Sequence, residues 1–145
     1  MEIHTIGHTK TSAEEFFERL KAHGIRRVVD VRLLNTSHLA GFSKRDDLRY
    51  FLRAICDADY IHEPRLAPSA ELLAAYQDQQ ITFDEYAAQF RALLAARQPE
   101  TWLDRDAFAV PTALLCAEPA ADRCHRRLVA EYLRDAWGDV EIIHL

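Results

Sequence analysis

Glycine is scarce in this chain, with four in 145 residues, and cysteine is scarcer, with three. No Gly/Ser-rich or biased tract separates one part from another and no internal repeat is found, which leaves no linker and no solenoid or array. A run of about 18 apolar residues, the length needed to span a bilayer, is missing. The opening MEIHTIGHTK lacks the charged start and apolar stretch of a signal peptide. These absences lead us to expect a cytoplasmic protein with no membrane contact. An odd cysteine count, in a chain large enough to fold without staples, argues for free thiols in a reducing compartment, so no disulfide is expected. Excess positive charge is missing as well. A formal net charge of -5 opposes gripping nucleic acid with the whole surface and leaves only a local basic mouth for that role.

What is present is apolar. Hydrophobic residues make up 49% of the chain, enough for a core, and the length suits a single domain over residues 1–145. Residues 3–6 followed by Gly7 read as a strand. Ser12 to Glu15 matches a capping box, and Ala13, Phe16, Phe17 and Leu20 keep helical spacing up to Gly24, which is placed to end the helix. The β-branched run at 26–31 is a second strand, buried because its valines fill both faces. After a loop at 33–42, Ser43 with Asp46 is expected to cap a helix striped by Leu48, Phe51, Leu52 and Ile55. Residues 60–62 form a brief strand cut off by Pro64 and Pro68. Two helical stretches follow at 69–79 and 82–97, while 102–110 is ambiguous. A strand at 112–116, a helix at 123–136 closed by Gly138 and a last strand at 140–144 complete the pattern. Alternating strands and helices imply right-handed crossovers, hence a single three-layer α/β domain with a mostly parallel sheet of about five strands and helices on both faces. Strand order does not follow from the sequence.

In such sheets ligands bind beyond the carboxyl ends of the strands. Those ends carry Gly7 and His8, Asp30 and Arg32, His62 and Glu63, Cys116 and Glu118, and His144. Their concentration of ionisable and thiol groups points to a pocket. Cys116 closes an apolar strand, and free cysteine is often only a small buried hydrophobe. Cys124 lies four residues before Leu128 on the sheet-facing side of a helix, a core position, yet it also sits in the first helical turn between Arg123 and His125, where dipole and cations favour a thiolate. Asp30 and Arg32 share a strand face and could simply pair. Arg126 could be a solvated helix charge or the holder of an anion at the helix start. Cys56 has only a core reading.

A metal at Cys116, Cys124 and His125, three soft or borderline ligands, ranks below thiol chemistry. The spacing matches no CxxC or HExxH pattern, and adjacent helical residues point about 100° apart. A phosphatase-type phosphate loop fails too, because the sixth residue after Cys116 is Asp122 and not arginine. No motif names a cofactor.

TIGHT at 5–9, VVDVR at 28–32, FSK at 42–44, YIHEP at 60–64 and LLCAE...CHRRLVAEYL within 114–133 together resemble the family known as domain of unknown function 488. The CAE...CHR pair of blocks is the specific part; TIGH and DVR alone carry little. The resemblance implies a compact α/β domain whose characteristic residues are His8, Asp30, Arg32, Cys116, Glu118, Cys124, His125 and Arg126. Where many members resemble LGG after the third strand, this chain has Leu66, Ala67 and Pro68. A close backbone approach allowed by paired glycines is then unavailable, and RLLNTSHLAGFSK marks a subgroup.

These residues lead us to expect a thiol-dependent enzyme with an anion-accepting pocket. Cys116 would be the nucleophile, Cys124 the resolving thiol, His125 or His8 the base, Glu118 or Asp30 its orienter, and Arg32 or Arg126 the anion binder. The alternative is a non-catalytic module that binds a small anionic or nucleotide-like ligand, or a nucleic-acid end, through Arg32, Lys44, Arg45 and Arg126. A third reading, with Trp102, Phe108 and Trp137 packed between subunits, leaves the chain either a monomer or a homodimer.

Overall fold

The computed structural model describes residues 1–118 and 120–145. Five strands, β1 (Glu2–Gly7), β2 (Arg27–Asp30), β3 (Asp59–His62), β4 (Thr112–Cys116) and β5 (Glu141–His144), form one sheet in the order β3-β2-β4-β1-β5, every pairing parallel. All five carboxyl ends therefore lie along one edge. The helices are α1 (Ala13–Ala22), α2 (Arg45–Phe51), α3 (Ala70–Gln77), α4 (Phe83–Arg97), the single turn α5 (Pro99–Trp102) and α6 (His125–Trp137).

Alternation within the strands sorts the core into two layers. Ile6, Val28, Ala113 and Leu115 pack with Phe16, Phe17 and Leu20 of α1 and Leu48 of α2. Ile3, Val29, Leu114 and Cys116 pack on the other face with Leu72 of α3, Phe90 and Leu94 of α4, and Leu128, Val129 and Leu133 of α6. The central strands are apolar on both faces because helices cover both. Phe108 and Trp137 meet edge to face within the second layer, and Trp102 packs against that layer with the Arg65 guanidinium over its ring. The three aromatic residues considered for a subunit interface thus have partners inside the chain.

Ser12 caps α1 through the Glu15 amide, and Gly24 takes φ +63 just beyond the helix. Ser43 does not cap the helix that follows it. Lys44 is the N-cap of α2, with no side-chain cap bond, while the buried Ser43 hydroxyl is bonded within the site described below. The apolar stripe expected to run on to Ile55 passes into a π-helical turn at Leu52–Cys56, ended by Asp57 in the left-handed region. Ile55 is consequently exposed.

The strand order places the topological switch between β1 and β4. From β1 the chain moves out to β2 and β3 on one side; after β4 it crosses to β5 on the other. Loops leaving two adjacent strands in opposite directions open a crevice at their carboxyl ends.

Candidate functional site

A cavity of about 350 Å³ lies at this switch point. His8 enters from the end of β1, Arg32 to Asn35 from the end of β2, Cys116 to Glu118 from the end of β4, and Arg123 to His125 from the start of α6. Leu39 and Ala40 form one rim. Leu73 and Tyr76 of α3 and Tyr86 of α4 form the far wall. The walls are chiefly aliphatic and aromatic, with charge at a few points.

Beside the cavity, Asp30 is wholly buried and both of its carboxylate oxygens accept more than one hydrogen bond. Its Oδ1 accepts from the Arg32 backbone amide at 3.1 Å and from Arg32 Nε at 2.9 Å. Its Oδ2 accepts from Arg32 Nη2 at 2.8 Å, Asn35 Nδ2 at 3.2 Å and the Tyr60 hydroxyl at 2.5 Å. Burial alone would raise this carboxyl, but hydrogen bonds and charge from Arg32, joined by the Tyr60 bond, outweigh it and hold the pKa below the usual range. Tyr60 is correspondingly pushed up by burial and by its bond to Asp30. Arg32 also donates to the Ser43 carbonyl at 2.8 Å. The network is a closed unit, the local pairing that the shared strand face allows.

His8 joins its edge. The Ser43 hydroxyl donates to the Ala40 carbonyl at 2.8 Å, so its contact with His8 Nδ1 at 3.0 Å has the imidazole as donor. The lone pair then resides on Nε2. Burial, reinforced by the Arg32 charge and opposed by Asp30, lowers the His8 pKa to about 4, so the ring is neutral near pH 7.

Cys116 and Cys124 are 0% and 2% exposed, and their sulfurs are joined, with the two Cα atoms 7.3 Å apart. This corrects the expectation of three free thiols: Cys56 alone is free among the described residues. The loop after β4 doubles back and brings the strand end against the start of α6, which counting cysteines does not reveal. Cys124 is the N-cap of α6, with extended φ -130 and ψ 141. It is therefore not a helical neighbour of His125, and the 100° argument against joint ligation by the two falls. His125 Nε2 lies 2.6 Å from the Val31 carbonyl, which only accepts, so Nε2 carries the hydrogen and Nδ1 the lone pair. Burial lowers this imidazole to about 4, the Val31 bond resisting and the Arg126 charge assisting. Cys116 Sγ, Cys124 Sγ and one ring nitrogen of His125 lie within 4.8 Å of one another.

The loop that carries Cys116 is held from three sides. Thr9 donates to the Ala117 carbonyl through its amide at 3.1 Å and its hydroxyl at 2.7 Å. Arg126, 0% exposed, donates through Nη1 to the Glu118 carbonyl and lies 3.5 Å from Cys116 Sγ. Burial lowers its pKa to about 10, which leaves it charged. Gly7 passes directly beneath, where a Cβ would fall on the Glu118 carbonyl. A close approach of two backbones is what glycine permits there.

The structure thus brings His8, Arg32, Cys116, Glu118, Cys124 and His125 to the cavity and sets Asp30 and Arg126 behind it as supports. His62 donates to the Arg32 carbonyl at 2.8 Å, Glu63 holds Arg65, and His144 bonds Thr5, so the ends of β3 and β5 stay outside. Arg45 pairs with Asp46. Sequence reading missed Asn35, Ser43 and Tyr60 around Asp30, and the wall residues Leu73, Tyr76 and Tyr86. The stacked Tyr76 and Tyr86 rings, 4.6 Å apart, lie in stretches 69–79 and 82–97, which the sequence reads only as helices. Exposed Arg123, the residue after Asp122, stands at the cavity's rim.

The model of the family described as domain of unknown function DUF488 matches residues 12–133. The chain belongs to that family. The match takes in VVDVR, YIHEP and the CAE...CHR blocks and starts after TIGHT. No curated protein and no solved structure matches this DUF488 chain. Among the described residues no helix is long and apolar enough to cross a membrane.

Proposed function

We propose that this DUF488 protein is a thiol-dependent enzyme that runs a two-electron dithiol–disulfide cycle on a small molecule held in the switch-point cavity. One observation carries the reading: among the described residues the two cysteines whose sulfurs meet do so on the cavity wall, beside an imidazole with a bare nitrogen. A chain of this length with two full core layers has little need of a stabilising staple, and a bond between strand end and helix cap closes only a short loop. In a reducing compartment such a pair is more often transient and catalytic.

The cycle balances as follows. The Cys116 thiolate, favoured by the nearby Arg126 guanidinium and the start of α6, attacks one sulfur of a disulfide substrate and expels the other half as a thiolate. Cys124, giving its proton to His125 Nδ1, attacks Cys116 Sγ, forms the Cys116–Cys124 bond and releases the second half. His125 passes the proton to that leaving group. An external dithiol then reduces the enzyme. A hydroperoxide would be reduced by the same two thiols. Cys116 takes its distal oxygen as a sulfenic acid as the O–O bond breaks and the remainder leaves as the alcohol; Cys124 then forms the disulfide and expels that oxygen as water. The apolar walls suit a substrate with an apolar body, and exposed Arg123 at the rim suits an anionic group.

The test is turnover of a panel of small disulfides and hydroperoxides with dithiothreitol as reductant. Cys116→Ser should abolish it and Cys124→Ser should stop the cycle at a trapped mixed disulfide visible by mass. Full activity in both variants would refute the assignment.

A further inference from the structure

The same cluster has a second capacity in its reduced form. We propose that Cys116, Cys124 and His125 together form a binding site for one thiophilic divalent cation of the Zn2+ class, occupied when the two cysteines are thiols and emptied when they are joined. The inference deepens the dithiol reading, since it uses the same sulfurs and requires that they can be reduced.

Geometry supports it first. Tetrahedral sites with metal–sulfur bonds of about 2.3 Å and metal–nitrogen bonds of about 2.0 Å keep their donor atoms about 3.3 to 3.8 Å apart. The three donor atoms already lie within 4.8 Å of one another, so opening the S–S bond is the main movement required. Because Cys124 is extended and His125 begins the helix, these neighbours approach one point from different directions.

The imidazole supports it second. A ligating histidine almost always donates its other N–H to a carbonyl or carboxylate, which fixes tautomer and ring direction. His125 has that arrangement without any ion: Nε2 donates to the Val31 carbonyl at 2.6 Å and Nδ1 is left bare. Charge agrees as well. Two thiolates and a neutral imidazole cancel a divalent cation, and the Arg126 Nη1 group 3.5 Å from Cys116 Sγ supplies the N–H···S contact usual around bound thiolates. All three ligands line the cavity, so a fourth coordination position faces the space where a small molecule would sit. Two cysteines, one histidine and an open position is a known catalytic zinc set.

Binding and oxidation exclude each other. Two thiols and the cation give the bound dithiolate and two protons. One hydrogen peroxide with two protons converts the bound dithiolate to the disulfide, two waters and the free cation.

Co2+ is the probe, added to wild-type protein reduced with a phosphine and desalted without oxygen. The expected result is a thiolate-to-cobalt charge-transfer band with tetrahedral d–d absorption that saturates at a single equivalent and bleaches on adding Zn2+. The band should be absent in the oxidised protein and should collapse, with release of the ion, on adding hydrogen peroxide. His125→Gln should weaken binding at least about tenfold and shift the d–d bands. Wild-type protein in two redox states needs no variant to fold, so the comparison stands even if Cys116→Ser and Cys124→Ser do not. Reduced, folded protein that shows its thiols to a thiol reagent yet gives no band overturns the metal site; so does a band that survives oxidation. Turnover of disulfides assayed in the same samples separates the two ideas: turnover without the band removes the metal and leaves the dithiol enzyme, and the band without turnover does the reverse. A disulfide that yields only on unfolding removes both.

Discussion

Two polar clusters adjoin each other at the carboxyl edge of the sheet, at the ends of neighbouring strands β2 and β4, and they are built in opposite ways. Around Asp30 the accounting is complete. Arg32, Asn35 and Tyr60 saturate one carboxylate, and Arg32 is further held by Ser43. Around Cys116 it is not: among the described residues the two sulfurs find bonding partners only in each other and the Arg126 guanidinium, and nothing bonds the second ring nitrogen of His125. The proposed cycle requires the sulfurs to part and rejoin. A closed polar network fixes a shape, whereas an open one has bonding capacity left for a substrate or an ion. In sequence the two look alike, each a charged or reactive residue after a β-branched or aliphatic run. What separates them is whether long-range partners arrive to use up the valence.

The sharpest way to break the closed cluster is Asp30→Asn. It leaves the buried Arg32 guanidinium without its counter-ion, and we expect a loss of about 3 to 5 kcal/mol in urea unfolding, the usual penalty for half of a buried pair. Replacing both partners, Asp30→Leu with Arg32→Met, should recover most of that loss. Recovery would show the network to be scaffold; failure to recover would mean that the surrounding donors Asn35 and Tyr60 need the carboxylate itself.

Next in size is the boundary between the clusters, at His8. Its pKa in the folded protein, about 4, is below the ordinary 6.5, because burial and Arg32 disfavour the cation more than Asp30 favours it. The unfolded chain therefore binds the extra proton first as pH falls. The resulting stability is fully present above about pH 6.5 and is lost progressively down to about pH 4, by on the order of 2 to 3 kcal/mol. His8→Gln should reduce the slope of the stability profile across that window, leaving the part that His125, also lowered to about 4, contributes, measured by urea midpoints at stepped pH. A profile of unchanged slope would mean that the imidazole is open to water.

Gly7→Ala probes the clamp beneath the reactive loop. Its methyl group meets the Glu118 carbonyl, and the expected cost is about 1 to 3 kcal/mol, the range for overpacking. Thiol turnover should drop more steeply than stability, since the displaced backbone carries Cys116. Equal loss in both would mark Gly7 as packing only. The smallest effect belongs to Cys56→Ser, which touches neither cluster. Its sulfur lies 3.8 Å from the Phe17 carbonyl, and turnover should be unchanged.

Much of the fold was readable because its signals are local. Valine runs, capping hydroxyls and Gly24 place strands and helix ends within a few residues of where they lie, as the Arg27–Asp30 strand and the Ser12 cap show. That His8, Arg32 and Cys116 share one edge follows from parallel strands. That they, with Cys124 and His125 at the start of α6, meet at one cavity while the ends of β3 and β5 do not depends on the strand order, which the sequence does not reveal. What could not be read depends on distance in sequence. Tyr60 reaches Asp30 from 30 residues away, and Tyr86 closes a cavity whose other wall is Cys116. Ser43 shows how a local signal is overridden: its spacing to Asp46 fits a helix cap, but its hydroxyl bonds Ala40 and His8 inside the site instead. Cys124 fails in the same manner, read as helical when it is the extended cap, and that single backbone angle turns an awkward ligand pair into a convergent one.

The central claim, that the cavity holds a reactive cysteine pair, is tested most directly by timed alkylation of the reduced, folded protein with iodoacetamide and peptide mass mapping. Cys56, whose thiol is raised by burial, serves as the internal standard. The account predicts that Cys116 and Cys124 are modified well ahead of Cys56, and that oxidation to the Cys116–Cys124 disulfide abolishes labelling at both. Cys56 reacting first, with the other two inert until the chain is unfolded, would contradict it.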